Sequence, residues 1–538
     1  MHKQLSGESQ VWAPKVQGSG FYIAGLSGKR TELYSLTSFS WRAKTFVLAF
    51  LLFKISRRDW LKIMLEKISS FISWFDGIVW GLPLIILVLL VGILLTIRTG
   101  MLQVRHLPRA LKYMVKNEEG GKGEVSSFGA LCTALSATIG TGNIVGVATA
   151  IVAGGPGALF WMWIAAFFGM ATKYTEGLLA IKYRTIDENG HVLGGPFYYI
   201  RNGMGKRWGW LAKAFSFFGA AAGLMGIGTF VQINGISDAV HNYFDPKNLH
   251  TISILGRSYS WSIVLTAVFV TLCAGLVIIG GLKRIASVSE IIVPFMAIFY
   301  VIATLIVVFV NIKAIPDALV QVFQGAFGLK AVGGGAIGVG ISSMLNSMRM
   351  GIARGIFSNE SGLGSAPIAA AAAKTHEPVR QGLVSMTGTF VDTIIICTMT
   401  GLCIITTGSW NIGLKGAAVT QNAFKTGFGF APTLGSFILM ISLVFFAFTT
   451  IIGWNYYSER CMEYLTNGNM KAVKVFRWLY ILAVFAGPFM TIEIVWNISD
   501  IFNGLMAFPN LIALIALNGV VAVETKKYFD KIKERKLS

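Results

Sequence analysis

The 538-residue chain is 54% hydrophobic and 13% charged, with a mean hydropathy of +0.64. A soluble domain carries roughly 25% charged residues, so a soluble globular protein is excluded. Its five cysteines, Cys132, Cys273, Cys397, Cys403 and Cys461, sit in or beside apolar segments without a CxxC pair, which excludes a disulfide frame and a cysteine metal site.

Residues 1–63 stand apart. They carry ten Lys and Arg against three acids, and their apolar run TFVLAFLLF at 45–53 is too short to cross a bilayer. From Met64, MLEKISSFISWFDGIVWG forms an amphipathic lead into the first span. We expect Met64 to be the working start and 1–63 to be an upstream read-in outside the transporting body; the alternative is an interfacial anchor or a processed leader.

From residue 72 to 520, eleven segments reach the length of about 20 residues that a membrane helix needs. They are 72–97, 128–152, 158–182, 211–238, 260–281, 288–311, 335–370, 381–405, 433–460, 475–495 and 500–520. None alternates like a barrel strand, so the fold class is an all-α polytopic membrane protein whose helices satisfy their own backbone groups in lipid. Counted along this order, the loops on one side and the C-terminal tail hold 25 Lys and Arg, and the loops on the other hold six. That asymmetry places the C-terminus in the cytoplasm and the N-terminus outside, in the cell (inner or plasma) membrane. The formal charge of +21 is therefore topology, and no nucleic-acid partner is expected.

Two spans contain residues that interrupt helices. SATIGTGNIVGVATAIVAGGPG, 136–157, holds six glycines and a proline; GIARGIFSNESGLGSAPIAAAAA, 351–373, is broken by Gly, Asn, Ser and Pro. With the first span set aside, the other ten divide five and five, and each broken helix opens its set. This is the pattern of a secondary transporter built from inverted repeats, whose half-helix ends offer N–H groups and positive dipole ends to a carboxylate and carbonyls to a cation. The implied organisation is an N-terminal extension 1–63, an extra helix and basic cytoplasmic loop 64–125, repeats 126–317 and 318–520, and a basic cytoplasmic tail 521–538. Glycines such as those of GAAAG at 219–223 serve close helix packing instead.

The stretches GTGNIVGVATAIVAGGPGALFWMWIAAFFGMATKYTEGLLAIKYR (140–184), GGPFYYI (194–200) and ARGIFSNESGLGSAPIAAAAA (353–373) closely resemble the alanine/glycine:cation symporter family. The resemblance runs from about Met64 to the last helix. It implies a leucine-transporter-type fold preceded by one extra helix, and uptake of alanine or glycine driven by sodium or, in some members, by protons. It further implies that backbone N–H groups around Thr141 and Gly142 receive the substrate carboxylate, while Asn143 offers its amide oxygen to the substrate ammonium or a cation. The hydroxyls of Thr449 and Thr450 are expected to face the carbonyls of Ser136 and Ile139 and to hold sodium with them. No cofactor is expected beyond Na⁺ as coupling ion, and the carrier is expected to work as a monomer.

Other polar residues in the spans admit more than one role. Gln232 and Asn346 are candidates to reach the substrate or to stitch helices together. Asn359 is a candidate ligand at the second break, where Glu360 braces the unwound backbone or pairs with Arg354. Lys173 and Glu176, three apart on one helical face, are expected to pair. Glu290 is expected to be solvated or a gate partner, and Arg349, Asp392 and Glu493 must face protein or water. No single carboxylate stands out as a proton carrier, which favours sodium. An enzyme is not expected, because HExxH, a GxSG-type nucleophile within a span and paired aspartates are all lacking. A cation channel is the remaining alternative, because Gly-rich breaks can also line a pore.

Overall fold

The computed structural model describes residues 12–17, 20–27, 30–35, 57–116, 118, 120–188, 190–254, 257–328, 337–490 and 492–537. The chain forms two compact units, Met1–Phe71 and Ile72–Ser538. In the first unit Trp12–Gln17, Gly20–Ser27 and Arg30–Ser35 form an antiparallel sheet, with Trp12 opposite Gly25 and Tyr22 opposite Ser35. The sequence reading assigned no strands there; its apolar run 45–53 lies outside the described residues.

The second unit is a helical assembly. Among the described residues, eight helices are long and apolar enough to cross a membrane, or nine if the bent pair built from Ser127–Thr138 and Gly142–Gly154 is one span. The expected segments 158–182 and 335–370 are helical too, as Gly157–Lys182, Ile337–Asn359 and Ala366–Ala371. They fall outside that set for a physical reason. Gly157–Lys182 carries Lys173 and Glu176 and is buried throughout its second half, and Ile337–Asn359 is diluted by Gly, Ser, Asn and Arg. Gly157–Lys182 faces protein, where polarity is tolerated, and Ile337–Asn359 does so from Gly351 onward.

The segment expected as one span at 211–238 lies within one span-length stretch, Lys206–Phe244, whose helix is interrupted between Met225 and Phe230. The last span and the basic tail are one 46-residue helix, Ile492–Leu537. Small residues set the closest approaches: a Cβ on Gly382 would stand 2.7 Å from the Tyr174 carbonyl, and one on Gly177 would stand 2.4 Å from Ser385 Oγ. Gly157–Lys182 and Pro378–Thr389 can therefore pack backbone to backbone.

The two broken helices are tied at one end. Glu124 N donates to Ala372 O at 2.8 Å and Lys374 N to Val125 O at 2.8 Å. Arg184 donates to the carbonyls of Ala371, Ala373, Lys122 and Thr375, closing the C-terminal end of Ala366–Ala371, where a cation also suits the helix dipole.

Candidate functional site

The first broken helix begins at Ser126, whose hydroxyl accepts from Gly129 N at 2.8 Å and donates to Glu290 Oε1 at 2.9 Å. Glu290 thus buttresses a helix cap. The helix stops at Thr138. Ile139 turns extended (ψ 94°), and the chain resumes as a wide π-helical turn, Gly142–Gly146, followed by Val147–Gly154. The two arms are bent by 50°. Gly140 is required at the bend because a Cβ there would lie 2.5 Å from Thr450 Oγ1.

The main-chain groups released by this bend meet side chains from other helices. Ile139 O accepts from Thr450 Oγ1 at 3.2 Å, Thr141 N donates to Gln232 Oε1 at 3.1 Å, and Gly140 N donates to Asn143 Oδ1 at 2.9 Å. The Thr141 hydroxyl is buried with no hydrogen-bond partner among the described residues. Ser136 spends its own hydroxyl on Thr133 O and packs where Gly453, three residues beyond Thr450, leaves room for it.

The second break follows Asn359. Glu360 takes the left-handed conformation (φ 55°), as do Gly362 (φ 90°) and Gly364 (φ 81°), before Ala366–Ala371 resumes. A left-handed glutamate is held by its surroundings: its carboxylate accepts from Trp454 Nε1 at 2.7 Å and from Ser365 Oγ. Asn359 closes the turn, accepting from Ser361 N at 2.9 Å and donating to Thr393 Oγ1 at 3.0 Å. Gly362 N donates to Glu176 Oε1 at 3.2 Å, and its carbonyl accepts from Asn510 Nδ2 at 2.9 Å.

The breaks meet at Asp392. This carboxylate is fully buried and lies on a π-helical stretch, Phe390–Cys397, a deformation that recurs at functional sites. Oδ1 accepts from Asn143 Nδ2 of the first break at 2.7 Å; Oδ2 accepts from Ser358 Oγ of the second broken helix at 2.9 Å and from Thr393 Oγ1 at 2.8 Å. From the sequence, Asp392 was only a charge that must face protein or water. The available signal was a carboxylate inside the span FVDTIIICT with no basic residue a helical turn away.

Of the other expected site residues, Gln232, Asn143, Thr141, Gly142 and Asn359 surround the breaks, whereas Thr449 and Asn346 do not. Thr449 donates to Phe446 O and to Met296 Sδ, so only Thr450 of the pair faces the first break. Asn346 donates to Ala153 O at 2.7 Å and lines a cavity of about 380 Å³ at the far end of Val147–Gly154, with Gln321, Gln324 and Trp410. The expected Lys173–Glu176 pair does not form: Lys173 Nζ has no hydrogen-bond partner among the described residues, while Glu176 bonds Gly362 and Asn510. Only Glu176 Oε1 serves the second break; its Oε2, like Lys173 Nζ, has no hydrogen-bond partner among the described residues. Arg354 pairs with Asp500 at 2.9 Å instead of Glu360 and stacks over Phe357 and Trp496. Arg349 is exposed, and the side chain of Glu493 lies outside the described residues.

At the tied end of the broken helices sits an ionic cluster. His191 lies 3.2 Å from Glu124 Oε1 and 3.0 Å from Glu463 Oε1, and Arg460 lies 2.8 Å from Glu463 and 3.4 Å from Glu124. Hydrogen bonds to Glu124 and then Glu463 hold the imidazole up at about 9, against burial and the Arg460 charge. For Glu124, burial acts upward, but His191, Arg460 and the Val192 amide together bring its carboxyl below the usual range.

The arrangement is a pair of interrupted helices, their loose backbone ends held by oxygen-rich side chains around one buried carboxylate. Over residues 65–538 the sequence matches the sodium:alanine symporter family. The chain belongs to that family. It is accordingly a multi-pass membrane transporter, not an enzyme. Among its relatives, the sodium/alanine symporter AgcS of Methanococcus maripaludis is 47% identical over 85% of this chain and 97% of its own length. An uncharacterized transporter of Haemophilus influenzae is 54% identical over 87% of this chain and 97% of its own. The putative sodium/proton-dependent alanine carrier protein YrbD of Bacillus subtilis is 36% identical over 86% and 92%.

Proposed function

We propose that this family member is a sodium-coupled symporter carrying small neutral amino acids, alanine or glycine, into the cell. It would have eleven spans arranged as one extra helix before a leucine-transporter-type five-plus-five repeat, an outside N-terminus, a cytoplasmic C-terminus, and would act as a monomer. The observation that carries the reading is the meeting of both interrupted helices on Asp392, through Asn143 and Ser358. The relative named a sodium/alanine symporter supports the choice of substrate and ion.

In this reading the substrate carboxylate takes the Thr141 N–H in place of the Gln232 amide oxygen, and the partnerless Thr141 hydroxyl adds a second donor. Gly142 lets the substrate approach the backbone, and Asn143 and Asn359 position the two breaks about it. Sodium is held by Ile139 O and Thr450 Oγ1, with Ser136 beside them. Both ligands order the same unwound segment, so each makes the segment a better site for the other, and this shared ordering is the coupling. The buried Asp392 favours a second reading, proton coupling, in line with the relative named sodium/proton-dependent.

The test is uptake into proteoliposomes of a panel of labelled amino acids, with sodium and proton gradients imposed separately. Sodium-driven accumulation of alanine or glycine supports the proposal. Accumulation driven by protons alone moves it to the second reading, and ion currents without amino-acid dependence replace it with a channel.

A further inference from the structure

A strongly cationic cleft lies away from the breaks. Arg98 ends the helix Leu82–Arg98, Arg105 ends the short turn Leu102–Arg105, and Arg109 lies on Leu107–Val115. Facing them across a cavity of about 590 Å³, the long terminal helix supplies Lys526, Asp530 and Lys533 at a four- and three-residue spacing, hence on one helical face. Five cations thus surround a single carboxylate. His106 stacks flat on Phe529 with ring centroids 3.9 Å apart, and Arg109 covers the same ring at 5.4 Å, so the floor is rigid. Burial, then Arg109 and Arg105, push the imidazole below its usual range. The cleft's charge therefore comes from the arginines and lysines.

Such a concentration of like charge is self-repelling unless an anion shares it. Apolar surface adjoins each cationic element: Ile97 beside Arg98 is 71% exposed, Val104 beside Arg105 57%, and Val523, one turn before Lys526, 51%. A soluble phosphate has no use for that surface, whereas the acyl chains of a lipid do. We propose that this cleft binds the headgroup of an anionic diacyl phospholipid, its phosphate on the arginine forks and the lysines, its chains along Ile97, Val104 and Val523. The lipid pins the C-terminal helix to the first span and its following turn, and so fixes one wall of the protein to the membrane surface.

The experiment uses the full-length protein, delipidated in detergent and titrated with phosphatidylglycerol, with phosphatidylcholine, or with inorganic phosphate, following bound lipid and thermal midpoint. Phosphatidylglycerol is expected to bind and to raise the midpoint, and the other two to leave it unchanged. The double variant R105Q/K526Q should lose about tenfold or more in phosphatidylglycerol affinity, at the usual worth of a juxtamembrane cation, while K471Q/K474Q, two exposed cations elsewhere, should stay within about twofold. D530N, which removes the lone acid, should bind more tightly and serves if the double variant does not fold. Equal losses in both double variants, no gain in D530N, or the same stabilisation by phosphate would overturn the proposal.

Discussion

The two breaks solve one problem by different means. At the first, two released groups are taken by side chains of distant helices, Thr450 and Gln232, and a third by the nearby Asn143, itself held by Asp392. At the second, the chain turns through three left-handed residues at alternate positions, Glu360, Gly362 and Gly364, with Asn359 and Glu360 folded back over it and Trp454, Glu176 and Asn510 holding it from other helices. The first is therefore loose backbone held by exchangeable oxygens, suited to ligands that replace them. The second is a left-handed turn locked both from within and by three other helices, suited to holding a shape. A side chain can yield to a substrate at the cost of one hydrogen bond, about 0.5–1.5 kcal/mol, whereas undoing the second break means repacking a buried turn.

The comparison can be broken most forcefully at the residue the breaks share. Asp392→Ala strands the donors of Asn143, Ser358 and Thr393, and a buried donor left without its partner costs about 1–3 kcal/mol; thermal unfolding should fall sharply and uptake vanish. Retained uptake would show that the breaks do not depend on this carboxylate. At the second break, Gly364→Ala forces a residue at φ 81° against Phe215 at 2.8 Å and Asn510 at 2.9 Å. It is expected to destabilise by about 1–3 kcal/mol, more than Gly142→Ala, whose Cβ would meet Ser358 Cα at 3.3 Å. The reverse order would mean that the first break is the rigid one.

At the first break, Thr450→Val should abolish the sodium dependence of uptake with little loss of stability. The adjacent Thr449→Val should change uptake by less than about twofold, since that hydroxyl serves only its own helix and Met296. Equal effects would reinstate the pair as one site.

The smallest effect belongs to the end where the two helices are tied. His191 is held at about 9, above its unfolded value of 6.5. Its contribution is therefore complete below pH 6.5 and is lost as pH rises through about 9. The cluster is part-exposed, so solvent weakens it; the thermal midpoint should slope gently downward across that window, and His191→Gln should flatten the slope.

Much of this was readable in the sequence. The glycines of 140–146 and 362–364 announced the interruptions, and Thr141 and Asn143 lie within the first of them, whereas Thr450 was pointed to by the family resemblance. Partner choice was not readable. Asp392 reaches Asn143 across 249 residues and Ser358 across 34, and a carboxylate within a span announces only that something must satisfy it. Thr449 and Asn346 failed to reach the breaks for a related reason: a hydroxyl or amide in an apolar helix reads the same whether it faces the site, its own carbonyls or another helix.

By itself the sequence determined that the chain crosses a membrane as helices and where two of them come apart, since hydropathy and glycine act locally and over one segment at a time. The tertiary structure decided which buried groups answer one another: Glu176 took the second break over Lys173, Arg354 took Asp500 over Glu360, and Asp392 took both broken helices. Those pairings depend on which donors arrive within about 3 Å once the helices have packed, and that distance is a property of the assembled bundle, written in no single segment of it.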